Sequence, residues 1–250
     1  MTAAASGRTV LVTAGAGGIG SAIARRFRAG GDRVVITDVD DDAGARVAAE
    51  SDVEYLHCDS GDEAACRGLV AQIGPVDVLV NNVGVRGATG AIWEIPIADF
   101  SCTLEINAVS HVLMAQLVAP AMIEKRSGAI IMIASGAART GAVGRSPYGI
   151  SKWAVLGLTK SLANELAPFG VRANAVLPGI IRGERFEGSI ALHAREEGIT
   201  REEAFERIMS RTRLKRFVEP EEIAGAVHYL AGDDAVGITG AFLDVTGGFE

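Results

Sequence analysis

Short β-branched runs alternate with longer helix-like stretches along the chain, and this alternation constrains the fold more than any other feature. Thr9–Thr13 (TVLVT), 33–37 (RVVIT), 53–57, 77–80, 129–134 (AIIMIA), 171–177 and 241–245 read as seven strands. Helical periodicity fills the gaps, over about 19–28, 41–50, 99–119, 147–167 and 220–231. Strands that are apolar throughout, each followed by a helix, form parallel sheets covered on both faces. The expected fold class is therefore α/β: a doubly wound parallel sheet of about seven strands with helices on both faces, in one domain over 1–250. Local signals mark the helix ends. Ser60-Gly61-Asp62-Glu63 has capping-box spacing with Ser60 as the cap. Pro220 fits a first helical position, and the 99–119 helix is expected to stop before Pro120. The charged stretch 180–217 interrupts the alternation and is expected to form a partly helical lid, with a helix over about 201–211.

The first strand runs into Thr13-Ala14-Gly15-Ala16-Gly17-Gly18-Ile19-Gly20, where Gly15, Gly17 and Gly20 fit G-x-G-x-x-G. Between a strand and a helix this pattern has a physical meaning. Glycines let the backbone approach a ligand closely, and free N–H groups at the helix start meet the negative charge of a pyrophosphate. Asp38 ends the second strand 18 positions after Gly20. Its carboxylate is placed to accept hydrogen bonds from ribose hydroxyls and to repel a 2′-phosphate. No Arg or Lys stands in the turn or directly after Asp38, so NAD is expected over NADP. Taken alone, Asp38 also reads as a turn or cap residue.

Tyr148 and Lys152 are four residues apart in a predicted helix and share a face. A lysine charge about 4 Å away, at an effective dielectric near 20, contributes about 4 kcal/mol. That draws a phenol from its ordinary pKa of about 10 toward neutrality, where it can exchange protons with a substrate. Ser135 follows the AIIMIA strand, at the edge where open α/β sheets bind ligands. Its hydroxyl reads either as a partner for a substrate oxygen or as a cap. Asn81-Asn82-Val83-Gly84 leaves the fourth strand at the same edge. Asn107 interrupts the apolar run of Leu104, Ile106 and Val109, which suggests a buried partner, a bound water or a plain helix-interface amide.

These residues together resemble the short-chain dehydrogenase/reductase family in its small, single-domain, Rossmann-like form. The resemblance runs from about Arg8 to Gly248, with the motifs in the family's order. Thr13–Gly20 is similar to its T-G-x-x-x-G-I-G turn, with Ile19 in place; Asn81, Val83 and Gly84 fall on its N-N-A-G. Ser135 stands thirteen positions before Tyr148, Y-x-x-x-K matches Tyr148 and Lys152, and Asn107 matches the family's helix asparagine. The resemblance implies cofactor contacts at Cys58 and Asp59 near adenine, and at Pro178, Gly179 and Ile181 along the nicotinamide. It implies hydride transfer between an alcohol or carbonyl and NAD, with Tyr148 as acid–base, Lys152 on the nicotinamide ribose, Ser135 orienting the reacting oxygen and Asn107 holding a water. It also implies a homotetramer. The chain departs from the family at Ala14, where a glycine is usual and where Gly15 is expected to take over the strained conformation. Val83 and Arg182 are further departures, the latter near a customary threonine.

Composition narrows the partners. A net charge of −7 argues against nucleic acid or an anionic membrane surface. Three cysteines without a Cys-x-x-Cys pair suggest neither zinc nor a disulfide framework. No basic-then-apolar leader opens the chain, and no apolar run approaches the roughly 20 residues of a spanning helix. A cytoplasmic protein is expected. A mean hydropathy of +0.25 is high for 31 acidic residues, which suggests that the faces at 109–119 and 155–162 are covered by other subunits. Arg139, Arg145, Arg182 and Arg185 cluster in sequence around the predicted mouth and lid; solvated lid charges or subunit-contact residues are the favoured reading, and the alternative is that Arg182 or Arg145 binds an anionic group of the substrate. Two rival classes stand beside the dehydrogenase. A non-catalytic NAD-binding regulator would bind NAD without turnover, and a sugar-nucleotide epimerase or dehydratase would retain NAD tightly without net NADH formation.

Overall fold

The computed structural model describes residues 7–248; the side chains at 184, 185, 187, 189, 192, 193 and 196 lie outside the described part. Seven parallel strands form one sheet in the order β3-β2-β1-β4-β5-β6-β7, comprising β1 (Thr9–Thr13), β2 (Arg33–Asp38), β3 (Glu54–His57), β4 (Val78–Asn81), β5 (Gly128–Ile133), β6 (Val171–Pro178) and β7 (Phe242–Val245). Alternation within a strand supplies two cores. Leu11 of β1 faces one side, with Leu79 and Ile130; Val10 and Val12 face the other, with Val34 and Ile131. The helices α3 (Glu63–Ile73), α5 (Ser110–Lys125) and α7 (Ser146–Leu166) cover the first side through Leu69, Met114 and Val155. The helices α1 (Gly18–Ala29), α2 (Asp41–Ser51) and α10 (Pro220–Ala231) cover the second through Ile23, Val47 and Ile223. Strand order reverses between β1 and β4, so their C-terminal ends open a crevice where helices leave toward opposite faces.

Three local expectations are corrected. Asp62 caps α3, not Ser60: its carboxylate accepts from the N–H groups of Ala64 and Ala65 at 2.8 and 3.1 Å, while Ser60 is buried. Pro120 does not stop its helix. Helical backbone runs from α4 (Ile97–Leu104) through one π turn at Glu105–Val109 and along α5 to Lys125. The turn beyond the proline drives Met122 fully into the core, which outweighs one missing backbone hydrogen bond. This continuous Ile97–Lys125 helix is also long and apolar enough by length and composition to cross a membrane, contrary to the sequence expectation. Here it is a core helix, with Met114, Val118 and Met122 packed on the sheet.

The 180–217 stretch forms two helices, α8 (Glu184–Glu197) and α9 (Arg201–Ser210), the second entered by a capping box between Thr200 and Glu203. A single parallel bridge, Ile181 to Val218, closes the base of the excursion. Phe186 and Phe205 both rest against Phe217 there.

Candidate active site

The glycine turn sits at the mouth of the crevice. Ala14 itself takes the left-handed backbone, with φ of 50°; Gly15 does not relieve it, correcting the expectation. Gly15 is instead required for space, because a Cβ there would lie 2.5 Å from Cβ of Ile36. At Gly20 a Cβ would lie 2.5 Å from the Ala14 carbonyl oxygen. Ala14→Gly is therefore expected to raise stability by about 1 kcal/mol, or about 2–4 °C in Tm, readable by thermal unfolding.

Helix α1 starts at Gly17 with no side-chain cap and no acidic residue in its first turn, leaving its N-terminal N–H groups to an incoming anion. Ile19 packs beneath the turn on the second core. Asp38 leans over the turn's other lip, where its Oδ2 accepts from the Ala16 N–H at 3.1 Å and its Oδ1 from Val39 at 2.9 Å. The exits of β1 and β4 are laced together by Asn82. Its amide donates to the carbonyls of Thr13 and Ala14, and its N–H donates to the Thr13 hydroxyl.

Beyond β4 the motif residues divide. Asn81 turns its side chain inward, fully buried, and donates to the His111 carbonyl at 3.1 Å. Val83 continues the loop, its carbonyl receiving the His111 Nε2 at 3.0 Å. Gly84 borders the reactive groups directly: a Cβ there would stand 3.2 Å from the Lys152 Nζ and 3.6 Å from the Asn107 Oδ1. Asn107 lies in the π turn, where it is fully buried and grips Val85 from both sides, accepting its N–H at 2.7 Å and donating to its carbonyl at 3.0 Å. It also donates to the Ser151 hydroxyl at 3.0 Å. Of the readings open from sequence, a buried partner is what the amide finds.

Lys152 is buried, and its ammonium donates to the Ile133 carbonyl at 2.9 Å, at the end of β5. It lies 5.9 Å from the centre of the Tyr148 ring, so the pair shares one face of α7 at the crevice. Ser135 follows two residues after Ile133. Its Oγ accepts from the Ala137 N–H at 3.1 Å, opening the short α6 (Ala137–Thr140), and the hydroxyl proton remains to be donated elsewhere. Pro178 ends β6 with its carbonyl receiving the Gly136 N–H. Gly179 packs against β7's exit, since a Cβ would strike Thr246 at 2.5 Å. Ile181 is held in its bridge to Val218. Cys58 is buried with its sulfur 3.8 Å from that of Cys66, whereas Asp59 is exposed and accepts from Gly61.

Two residues were missed from sequence. His111 lies fully buried beneath the site, four positions after Asn107 on the same helix side, a spacing that was available as a signal. Burial, and then the Lys152 charge, push its imidazole down to about 3. Arg86, in the loop after Gly84, is half-buried with its charge acting on Arg145, and it carried no local signal. Among the arginines that were singled out, Arg139 pairs with Asp244 and Arg182 with Glu219, the latter also lying over the Phe217 ring; Arg182 is thus engaged within the lid base. The Arg185 side chain falls outside the described residues. Arg145 lies with its guanidinium 5.5 Å above the Tyr148 ring.

A match to the family model described as enoyl-(acyl carrier protein) reductase covers residues 14–250. The human protein dehydrogenase/reductase SDR family member 4 is 36% identical over 250 residues, covering 96% of this chain and 87% of its own. The chain belongs to the short-chain dehydrogenase/reductase family. Among solved structures, an actinorhodin polyketide ketoreductase variant with NADPH superposes with a TM-score of 0.90 at 34% identity, covering 97% of each chain. An NAD+-bound xylitol dehydrogenase reaches 0.90 at 30% identity, covering 96% of this chain and 98% of its own. As a short-chain dehydrogenase/reductase this protein is an oxidoreductase with a Rossmann-like sheet, acting on small molecules with a nicotinamide cofactor.

Proposed function

We propose that this protein is an NAD-dependent dehydrogenase that moves a hydride between a secondary alcohol or ketone and nicotinamide, with Tyr148 as the general acid–base. The observation that carries this reading is the buried Lys152 ammonium beside the Tyr148 ring at the crevice. The uncapped start of α1, held close to the end of β1 by Gly15 and Gly20, which admit no Cβ, suits a pyrophosphate; Asp38 suits an adenosine ribose. Nicotinamide, when bound, supplies the hydride acceptor or donor. Tyr148 then takes the hydroxyl proton of an alcohol, or returns it to a ketone oxygen. Ser135 donates to that oxygen and keeps it in line. Lys152, anchored on Ile133, holds its positive charge beside the ring and would hold the nicotinamide ribose. Asn107 fixes the 84–85 loop that borders the ammonium.

The choice of NAD follows from charge. Asp38 is followed by Asp40, Asp41 and Asp42, with no cation in the glycine turn, so a 2′-phosphate meets only repulsion. The test is an NADH-formation screen over varied secondary alcohols, run with both cofactors and with Tyr148→Phe as the control. NAD should exceed NADP by about 100-fold in kcat/KM. Asp38→Asn should lower NAD efficiency by about tenfold while improving NADP, since it removes a charged acceptor and the repulsion together. A preference for NADP in the wild type refutes the cofactor assignment.

The proposal extends to a cytoplasmic homotetramer. The faces expected to be shared are partly spent on the protein's own core, since Met114, Ala115, Val118, Val155 and Leu156 are buried within the subunit. Val109 and Trp153 remain outward on the long helices, with Leu113, Leu117, Leu158 and Leu162 half covered beside the core, and these support association.

A further inference from the structure

Most cationic side chains of this acidic protein are matched. Arg8, Arg28, Arg33, Arg67, Arg139, Arg182, Arg207 and Arg216 each meet a carboxylate, and Arg126 and Arg172 meet backbone carbonyls. Arg86 and Arg145 differ. Both are partly buried, and among the described residues neither guanidinium has an ion pair or a hydrogen bond. The Nε of Arg86 is wholly shielded from solvent with no partner. A buried donor left unmet costs about 1–3 kcal/mol, more when charged. That unmet donor beside a second half-buried guanidinium is an arrangement that stability alone disfavours.

The backbone brings them together. Arg86 leaves the β4 exit just after the Asn107 clamp on Val85. Arg145 stands at the start of α7, and the two loops are tied where the Gly90 N–H donates to the Gly144 carbonyl at 3.0 Å. Burial pulls the Arg145 guanidinium down from its ordinary value; the Tyr148 hydroxyl opposes this, and the Arg86 charge adds to it. No carboxylate contributes to that balance. The hollow of about 440 Å³ at the opposite end of the strands is lined instead by matched pairs, Arg28 with Asp52 and Arg33 with Glu54.

We infer that Arg86 and Arg145 form an anion subsite beside Tyr148, and that the substrate is a hydroxy or keto acid whose carboxylate sits between the two guanidiniums. This rests on the reading of Tyr148 as the reacting centre. A carboxylate there satisfies the shielded Nε of Arg86, cancels the repulsion between the cations and keeps the reacting carbon a few bonds away, at the phenol. Arg145 lies over the ring itself, so the same side chain sets the distance between the carboxylate and the proton-transfer group. A neutral alcohol of the same size leaves both cations unmet. The pair thereby selects for charge at the substrate-binding step, which differs from the lid role assigned to Arg182.

The test is calorimetric titration of the NAD-saturated protein with butyrate and with its uncharged isostere butyramide. Butyrate should bind at least about tenfold more tightly than butyramide, as expected for charge-assisted bidentate contacts. Arg86→Gln and Arg145→Gln should each remove that preference. Arg86→Lys and Arg145→Lys, which keep the charge, should retain part of it, so loss in the Gln variants and not in the Lys variants is assigned to charge. Equal binding of the two probes, or undiminished butyrate preference in both Gln variants, overturns the subsite. Turnover of neutral secondary alcohols by the same preparation reports separately on Tyr148. Turnover without butyrate preference refutes the subsite alone, and butyrate preference without turnover of either neutral secondary alcohols or short hydroxy acids refutes the dehydrogenase reading alone.

Discussion

Tyr148→Phe is expected to lower kcat by about 10³-fold while NAD still binds within about twofold of wild type. The substitution removes one oxygen from a ring whose stacking under Arg145 is otherwise kept, so folding is expected to change by less than about 0.5 kcal/mol. Lys152→Met should cost a similar factor in kcat and, unlike the tyrosine change, weaken NAD binding as well. Its ammonium is buried and tied to Ile133, so its loss also removes a charge that the reacting site depends upon. The two groups act as one unit: a phenol without the ammonium lacks the charge that stabilises the transferred proton's departure, and an ammonium without the phenol has no proton-transfer group to assist. The double variant should therefore be only slightly worse than either single one, far from the product of the two losses. Stopped-flow hydride transfer with NAD-binding titrations of all three variants checks this. A Tyr148→Phe enzyme retaining more than about a tenth of wild-type kcat ends the assignment.

The strands were legible because a parallel sheet covered on both faces admits no polar face. TVLVT and AIIMIA read as unbroken apolar runs, and both are wholly or almost wholly buried. Errors fell where a local rule met a tertiary one. Pro120 is a helix breaker in isolation, yet Met122 on the next turn fills the core and the helix continues. Ser60 and Asp62 both can cap; the carboxylate, a stronger acceptor and closer to the helix, prevails. At the site, Tyr148 and Lys152 were legible because four residues in a helix fix a shared face whatever the surroundings. That Asp38 stands near the glycine turn was legible because one βαβ unit contains both; its hydrogen bond to the Ala16 N–H was not. Arg145 was singled out, but its pairing with Arg86 was not legible, the two being 59 positions apart in loops tied by the Gly90 to Gly144 contact. The pairing of Arg182 with Glu219 was not legible either, since the two lie 37 positions apart, across the lid base.

Acid should destabilise this protein through His111 before most of its carboxylates titrate. The Val83 carbonyl can only accept, so the proton of the neutral ring sits on Nε2; Nδ1 is buried with no donor among the described residues. A second proton would place another cation near Lys152 in a dry interior, and the folded imidazole accordingly titrates only at about 3. The unfolded imidazole takes its proton near 6.5. Between those values the unfolded chain holds one more proton than the folded one, so stability falls as pH falls, by about 1.4 kcal/mol per pH unit. The accumulated loss at pH 4.5 is on the order of 3 kcal/mol from this group alone. His111→Gln keeps a donor for Val83 and cannot ionise. Its own stability at pH 7.5 should be lower through imperfect packing, but the wild type should lose on the order of 3 kcal/mol more than the variant between pH 7.5 and 4.5. His228, also held down by burial, and the depressed carboxylates of Glu54 and Glu222 affect both proteins alike and cancel in the comparison. Urea unfolding of both proteins at the two pH values measures the difference directly. Parallel losses would show that the buried imidazole accepts its proton in place, and that the floor beneath Lys152 is more accessible to water than its packing indicates.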